Sequence, residues 1–467
     1  MNHLEYVQKL DILILLRQFK MGNVLGLTPI FFDSTKKKRI ALQSLPREAA
    51  GGFCNVFRPP CKAQSYLMIH ENLILHNFIT ARITSNTKMP SDILNVKILF
   101  CIGKILGVTP LWLKTASYLT KIYVTLLTLL VVSGTFLSMN SRYRSLVDLQ
   151  MSSQQAFLEC SECLSELLFM LSCFLGVSCK GKAWNELFQN FLKVEDMFHY
   201  SDFKNKGSIC VFATRLTLVN LTFFAVHAYE ILIWEDIQEA QSASTEYGYI
   251  LYRISMYYQF FTVYLTFCLT EMLRKRYQFL NSMLEEALKH KCKVVVISNK
   301  ENQRVLWKLY KIQRVYTTMF KLVQSFNNVF NWILFFYFTA FVTNILVNIN
   351  YVLKYTKTEN GELNAKILIA YVIYSIVYII STVAIVMSCD GVEQSGKRIA
   401  KTCFLYQEVL EKPSFKEELV LFSRFATELA PSFTAAGFFQ INQPVLATLF
   451  SAVTTYLIII IQFNMTL

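Results

Sequence analysis

Seven stretches of this chain are apolar over the length that a bilayer crossing demands, and no other feature restricts its fold as strongly. A spanning helix needs about 20 predominantly apolar residues. The stretches run near 117–139, 156–178, 209–233, 249–271, 326–350, 367–388 and 444–464. The chain is 54% hydrophobic and only 17% charged, where soluble proteins carry about 25% charged residues. Aromatics at 14% suit interfacial belts at the membrane surfaces. The predicted fold class is therefore all-α, a seven-transmembrane helix bundle.

Basic residues alternate across the connections between these spans. The second span is followed by Lys180, Lys182, Lys193, Lys204 and Lys206, and the fourth by twelve Lys and Arg between Arg274 and Lys321. After the sixth come Lys397, Arg398, Lys401, Lys412, Lys416 and Arg424. The opposite connections hold Arg142 and Arg144, none in 234–248, then Lys354, Lys357 and Lys366. The positive-inside rule places the rich loops in the cytoplasm, which predicts a cytoplasmic N-terminus and an extracellular C-terminus. This is the reverse of a G-protein-coupled receptor. The net charge of +14 is explained by these loops, and no basic block is interleaved with a nucleic-acid fold, so nucleic acid is not an expected partner. None of the twelve cysteines falls in 140–155, 234–248 or 351–366, so no extracellular disulfide is expected. Cys160 and Cys163 form a C-x-x-C inside the second span and read as packing residues.

Residues 1–90 read as a poorly ordered cytoplasmic extension. Asp11-Ile12-Leu13 recurs as Asp92-Ile93-Leu94, and at the same offset of 81 Phe19, Gly22, Leu25, Gly26, Thr28 and Pro29 recur as Phe100, Gly103, Leu106, Gly107, Thr109 and Pro110. One repeat is too few for a solenoid and points to a duplicated starting segment. Between the copies lie Lys36-Lys37-Lys38-Arg39 and Pro59-Pro60, a broken, basic stretch suited to the anionic inner leaflet. No signal peptide is expected, because the first span can itself direct insertion. A pre-membrane segment covers 91–116 and spans one to four fill 117–271. The connection 272–325 is a cytoplasmic helical anchor region with Leu280, Met283, Leu284, Ala287 and Leu288 at helix spacing. Spans five and six fill 326–388, a second cytoplasmic segment with an anchor helix from Pro413 towards Pro431 occupies 389–443, and 444–467 is the last span. Such stripes either pack on one another within a subunit or hold subunits together.

No enzyme constellation is present: there is no Walker A loop, no G-x-S-x-G and no H-E-x-x-H, and the six histidines are scattered. No cofactor or metal is expected. Polar residues inside the spans carry more information, since an ionisable group in a membrane bundle needs a partner or water. Glu159, Glu162 and Glu166 follow Gln155 as one acidic stripe on the second span. His227, Glu230 and Trp234 share a face of the third, and Tyr249, Tyr252, Met256 and Gln259 a face of the fourth. Asn344 and Asn348 lie one turn apart on the fifth, with Tyr371, Tyr374 and Tyr378 on the sixth. Converging tyrosine, glutamate and amide groups suit a pocket for a small polar or amphipathic molecule; the competing reading is an interfacial belt with amide glue between helices. The candidate ligand-binding residues are Glu159, Glu162, Glu230, Trp234, Tyr252, Gln259, Asn344, Asn348, Tyr371 and Tyr374.

The last span differs from the others. It carries no charge, and Thr448, Ser451, Ala452 and Thr455 alternate with large apolar residues up to Gln462-Phe463. One such helix cannot form a conduit, but four around an axis can, with Thr455 and Tyr456 lining its middle and Gln462 and Phe463 an outer constriction. Apolar rings gate by dewetting, and an amide ring substitutes for ion hydration. The alternative is that Tyr456 and Gln462 bond within one subunit.

The string Thr455-Tyr456, five apolar residues, Gln462-Phe463 resembles the C-terminal signature of insect gustatory receptors. Thr434-Ala435-Ala436-Gly437-Phe438-Phe439 followed by Asn442, and Lys104-Ile105-Leu106-Gly107-Val108-Thr109-Pro110, resemble further motifs of that family, so the likeness covers roughly 91–467. The resemblance implies an inverted seven-helix subunit of a tetrameric, ligand-gated, non-selective cation channel in the plasma membrane of chemosensory neurons. It implies a pore lined by the seventh helix, with Tyr456, Gln462 and Phe463 at the signature's pore positions, and one pocket per subunit between helices two to six. The implied partners are a small-molecule tastant, membrane lipid, permeating cations, and either identical subunits in a homotetramer or related receptors in a heteromer. Alternative first exons in that family match the duplicated start. Sugar receptors of the family carry Glu after Thr-Tyr; Leu457 here points to a bitter-type, fructose-type or orphan member. The competing classes are a metabotropic seven-helix chemoreceptor and an odorant-receptor-like channel. A transporter would repeat its two membrane halves, and these halves do not.

Overall fold

The computed structural model describes residues 91–110, 118–148, 153–198, 208–237, 244–292, 299–355, 365–409 and 413–466. The first copy of the repeat, the basic run at 36–39 and the prolines at 59–60 lie outside the described residues. Among the described residues the regular structure is helical except for one hairpin, with short turns between elements. In order come α1 (Ser91–Ile105), α2 (Tyr118–Asp148), α3 (Ser153–Ser178), α4 (Gly181–Met197), α5 (Ser208–Ile237), α6 (Ser244–Cys292), α7 (Asn299–Tyr355), α8 (Ala365–Val409), α9 (Pro413–Glu428), strands β1 (Thr434–Ala435) and β2 (Phe439–Gln440), and α10 (Gln443–Thr466).

Each of the seven apolar stretches falls on a helix. Among the described residues five helical segments are long and apolar enough to cross a membrane: Ala156–Ser178, Val211–Tyr229, Gln303–Leu353, Leu368–Glu408 and Gln443–Gln462. The first stretch yields the shorter apolar segment Ile122–Leu137. The fourth lies within α6, where Arg253, Glu271 and five tyrosines dilute the apolar run. At 1.5 Å per residue, 49-residue α6 and 57-residue α7 reach about 74 and 86 Å. A hydrocarbon core is about 30 Å thick, so both helices extend far beyond it.

Packing follows the helix order only in part. α6 lies against α8 and α2, and α7 against α3 and α4, while α8 also carries α9. α4 lies within the lysine-bearing connection after the second span. Its Trp184, Leu187, Phe191 and Val194 recur at helix spacing and are buried. The Trp184 indole donates to Gly176 O at 3.0 Å and its ring meets Phe100 and Phe330 edge-on. Lys180, which precedes α4, donates to Asn328 O of α7 at 2.7 Å, and its burial lowers the ammonium's pKa. Buried Tyr316 of α7 donates to Ala426 O of α9 at 2.8 Å.

Two of the quoted motifs are backbone devices. After α1, Gly107 has φ +70°, with Val108 N–H donating to Gly103 O at 2.8 Å and Gly107 N–H to Lys104 O at 3.2 Å. That is the Schellman cap, which favours glycine at the left-handed position and an apolar residue after it; Val108 is buried. Gly107→Ala is expected to destabilise the chain by about 1–2 kcal/mol through left-handed strain, and its Cβ would in addition meet Leu127 at 3.0 Å. Thermal unfolding of the detergent-purified chain would show the loss.

The string Thr434 to Phe439 is a hairpin whose turn places Ala436 and Gly437 at φ 50° and 78°, the sign pattern of a type I′ turn. It is fastened to α7: Ala436 N–H donates to Asn331 O at 2.9 Å, and Asn327 Nδ2 donates to Ser432 O at 2.7 Å. The hairpin thus fixes where α10 begins.

Candidate functional site

Two features stand out: a small cavity between four helices, and the open face of α10. The cavity encloses about 30 Å³, room for a water or two by the usual requirement of at least about 10–15 Å³ each. α5 supplies Phe223, Val226 and His227, and α6 supplies Met256, Gln259, Phe260 and Val263. Tyr337 comes from α7, with Tyr374, Val377, Tyr378 and Ser381 from α8. Tyr374 and Tyr378 are four apart and so share a face. Tyr374 OH donates towards Tyr378 OH at 3.3 Å, and Tyr378 OH donates to Gln259 Oε1 at 3.0 Å. A chain of hydroxyls ending on an amide oxygen polarises each member in turn. The Sδ of Met256 lies 3.1 and 3.0 Å from the two phenols.

The other end of that amide matters more. Gln259 is buried, and its Nε2 has no hydrogen-bond partner among the described residues. A buried donor without an acceptor costs about 1–3 kcal/mol, so an acceptor oxygen entering the cavity would recover that energy. The remaining wall is aromatic: Phe223 packs on His227 at 4.1 Å and on Phe260 at 4.8 Å, and His227 meets Tyr374 edge-on at 5.7 Å. The site can hold a flat or apolar body with one acceptor.

Of the candidate ligand residues, Gln259 and Tyr374 line this cavity. Glu159, Glu162 and Glu166 are buried along α3 but do not line it. Glu159 accepts from the Tyr351 hydroxyl of α7, and Tyr351 stacks on Tyr371 at 5.1 Å, making a separate polar cluster. Asn344 and Asn348 are buried in α7 away from the cavity, and Asn344 Nδ2 donates to Ala340 O of its own helix. The helices carrying Glu230, Trp234, Tyr252 and Phe463 are present, but those side chains lie outside the described residues. Cavity residues such as Val263, Phe260 and Tyr337 were not singled out, since nothing in the sequence separates them from lipid-facing or core side chains.

α10 packs on α7 and α8 through Val445, Val453 and Ile460, which are buried, with Leu449 and Tyr456 packed against the cluster that holds Val453 and Ile460. The other face is open: Thr448, Ser451, Thr454, Thr455, Ile458, Ile461 and Gln462 are all exposed. Only 17% of this membrane-length segment is buried. Thr455 therefore shares the open face with Gln462, while Tyr456 turns towards α7. Thr454 and Thr455 hydroxyls donate to Phe450 O and Ser451 O at 2.8 and 2.9 Å, leaving their lone pairs available.

The family model of the 7tm chemosensory receptors matches residues 96–467. The chain belongs to that family and is a multi-pass membrane protein. It is similar to putative gustatory receptor 28b of Drosophila melanogaster, 37% identical over 92 residues, 19% of each chain. It is also similar to gustatory receptor 68a of the same fly, 28% identical over 197 residues, 41% of this chain and 48% of that one. These matched regions thus cover a fifth and about half of the curated relatives. The fold resembles that of olfactory receptor OR5 from Machilis hrabei, solved with eugenol, at a TM-score of 0.51 and 14% identity, covering 79% of this chain and 98% of the other.

Proposed function

We propose that this chain is a gustatory receptor that works as a tastant-gated, non-selective cation channel, its conduit lined by α10 of four subunits. The carrying observation is the open face of α10. A membrane-length helix that presents Thr448, Ser451, Thr455 and Gln462 outwards has built a polar stripe along its span, and such stripes face water or other protein. Around a shared axis the hydroxyls and amides offer water and cations a path, with the isoleucines and Phe463 as the apolar constriction. In this reading the N-terminus is cytoplasmic and the C-terminus extracellular, which the alternation of basic connections supports, and the receptor works in the plasma membrane of chemosensory neurons.

The cavity around Gln259 and Tyr378 is the ligand site in this reading. Its contracted volume means that binding widens the gap between α5, α6 and α8, and that widening is the step transmitted to α10. Gln259→Leu keeps the shape and removes the orphan donor. It is expected to raise the half-activating concentration of an oxygen-bearing tastant tenfold or more, read from ligand-evoked currents. An unchanged concentration–response curve would move the ligand elsewhere, to the cluster of Glu159, Tyr351 and Tyr371. The likeness to an olfactory receptor favours one second reading, a channel gated by volatile molecules; a ligand screen with current recording separates the two.

A further inference from the structure

A second, larger space lies between α6 and α8, away from the candidate ligand cavity. It encloses about 670 Å³ and is lined from Phe267 to Glu285 on one helix and from Ala384 to Arg398 on the other. The two helices are joined to each other by Thr270–Ser388 (2.6 Å) and Thr402–Asn281 (2.9 Å) hydrogen bonds. The groove begins where the apolar runs of both helices end.

The face of α8 leading to it changes character along its length. Val372, Ile376, Ile380 and Met387 are 44%, 48%, 62% and 44% exposed, and their spacing puts them on one side of the helix. The same side continues through Gly391 and Gln394 to Arg398 inside the groove. An apolar stripe that runs into a charged groove has the profile of a lipid, chain first and headgroup after.

The charges specify which headgroup. Arg274 and Arg398 supply two guanidiniums, and Glu271, Glu285 and Asp390 supply three carboxylates. Arg274 lies 3.1 Å from Glu271 and Arg398 lies 3.8 Å from Glu285, both as open, partly solvated pairs. Such pairs contribute little, so a phosphate can take over the guanidinium forks. Asp390 has no ion pair among the described residues. Gly391 lets Arg274 lie flat across α8: a Cβ there would sit 3.0 Å from its Cδ and 3.1 Å from its Nε. We infer that this groove binds a phospholipid carrying both phosphate and a primary ammonium, an ethanolamine phospholipid, with phosphate on Arg274 and Arg398 and ammonium on Asp390. A purely anionic headgroup would leave Asp390 unmatched and add repulsion from three carboxylates. The inference does not depend on the pore reading.

The test uses the full-length chain purified in mild detergent, with bound lipid counted by native mass spectrometry after adding phosphatidylethanolamine or phosphatidylglycerol of identical acyl chains. Phosphatidylethanolamine should bind about tenfold more tightly. Arg274→Ala with Arg398→Ala should lower that binding about tenfold, and Asp390→Asn should abolish the preference between the two lipids. Gly391→Ala, which leaves every charge in place and suits a helix, should weaken binding by displacing Arg274. If the arginine variant fails to fold, the wild-type preference and Gly391→Ala decide. Equal binding of both lipids by the wild type, a preference for phosphatidylglycerol, or undiminished binding in the folded variants would overturn the assignment.

Discussion

Arg276→Leu is expected to remove about 3–5 kcal/mol of stability, the usual penalty for breaking one side of a buried ion pair, and with it most delivery to the cell surface. Arg276 is the most enclosed charged group in the described ion pairs, its side chain 3% exposed, and Glu195 opposite it is 14% exposed. The guanidinium donates to the Glu195 carboxylate through Nε and Nη2 and to Met272 O through Nη1, and it lies over the Phe191 ring. It thereby fastens α4 to α6. Leucine fills much of the volume but strands the carboxylate of Glu195, and the desolvation cost, not the lost attraction, sets the size of the effect. The double replacement Arg276→Leu with Glu195→Leu should recover most of the loss. Thermal unfolding of the two variants measures the difference; a single variant as stable as the wild type would mean that water reaches the pair.

The second large effect concerns α10. Ser451→Ala with Thr455→Val, which removes two hydroxyls at nearly constant size, is expected to cut ligand-evoked current at least tenfold while leaving surface delivery unchanged. Both residues sit on the open face. In a narrow water path the replacement makes an apolar ring, and such rings exclude water. Facing lipid, the same change would be neutral or favourable, because the Thr455 hydroxyl proton is already returned to a helix carbonyl, Ser451 O. The two environments therefore give opposite outcomes. Surface biotinylation alongside current recording distinguishes a closed path from a missing protein.

The sequence carried the helices more fully than their rotations. Hydrophobic length alone located all seven stretches now seen as helical, and Pro413 and Pro431 bracket α9, which ends at Glu428. α4 is legible in the spacing of Trp184, Leu187, Phe191 and Val194, while its lysines carry the charge that marks the connection as cytoplasmic. The hairpin was not legible, since nothing about Ala436 announces a positive φ; its partners on α7 impose it. Motifs at Lys104–Pro110 and Thr434–Phe439 are explained by a Schellman cap and a turn.

Site residues divided along a physical line. A helix that is apolar all round has no preferred face in its sequence, so the convergence of polar residues on α3 and α5 to α8 could be proposed but not oriented. Gln259, Tyr374 and Tyr378 meet at the cavity. The glutamates of α3 and the asparagines of α7 are buried elsewhere, because the rotation of each helix is set by its neighbours. On α10 the same limit separated two adjacent residues, Thr455 on the open face and Tyr456 against α7.

A conduit lined by α10 requires that water reach the open face of this helix when ligand is bound. The direct measurement introduces single cysteines at Ser451, Thr455 or Val453 and applies a membrane-impermeant thiol reagent during ligand-evoked current, with the unaltered chain as the control for its native cysteines. Modification should block current through Ser451→Cys and Thr455→Cys, only in the presence of ligand, and leave Val453→Cys unaffected, since Val453 is buried against its own subunit. Current that persists in both open-face variants, or block at Val453→Cys alone, would contradict a conduit lined by this helix.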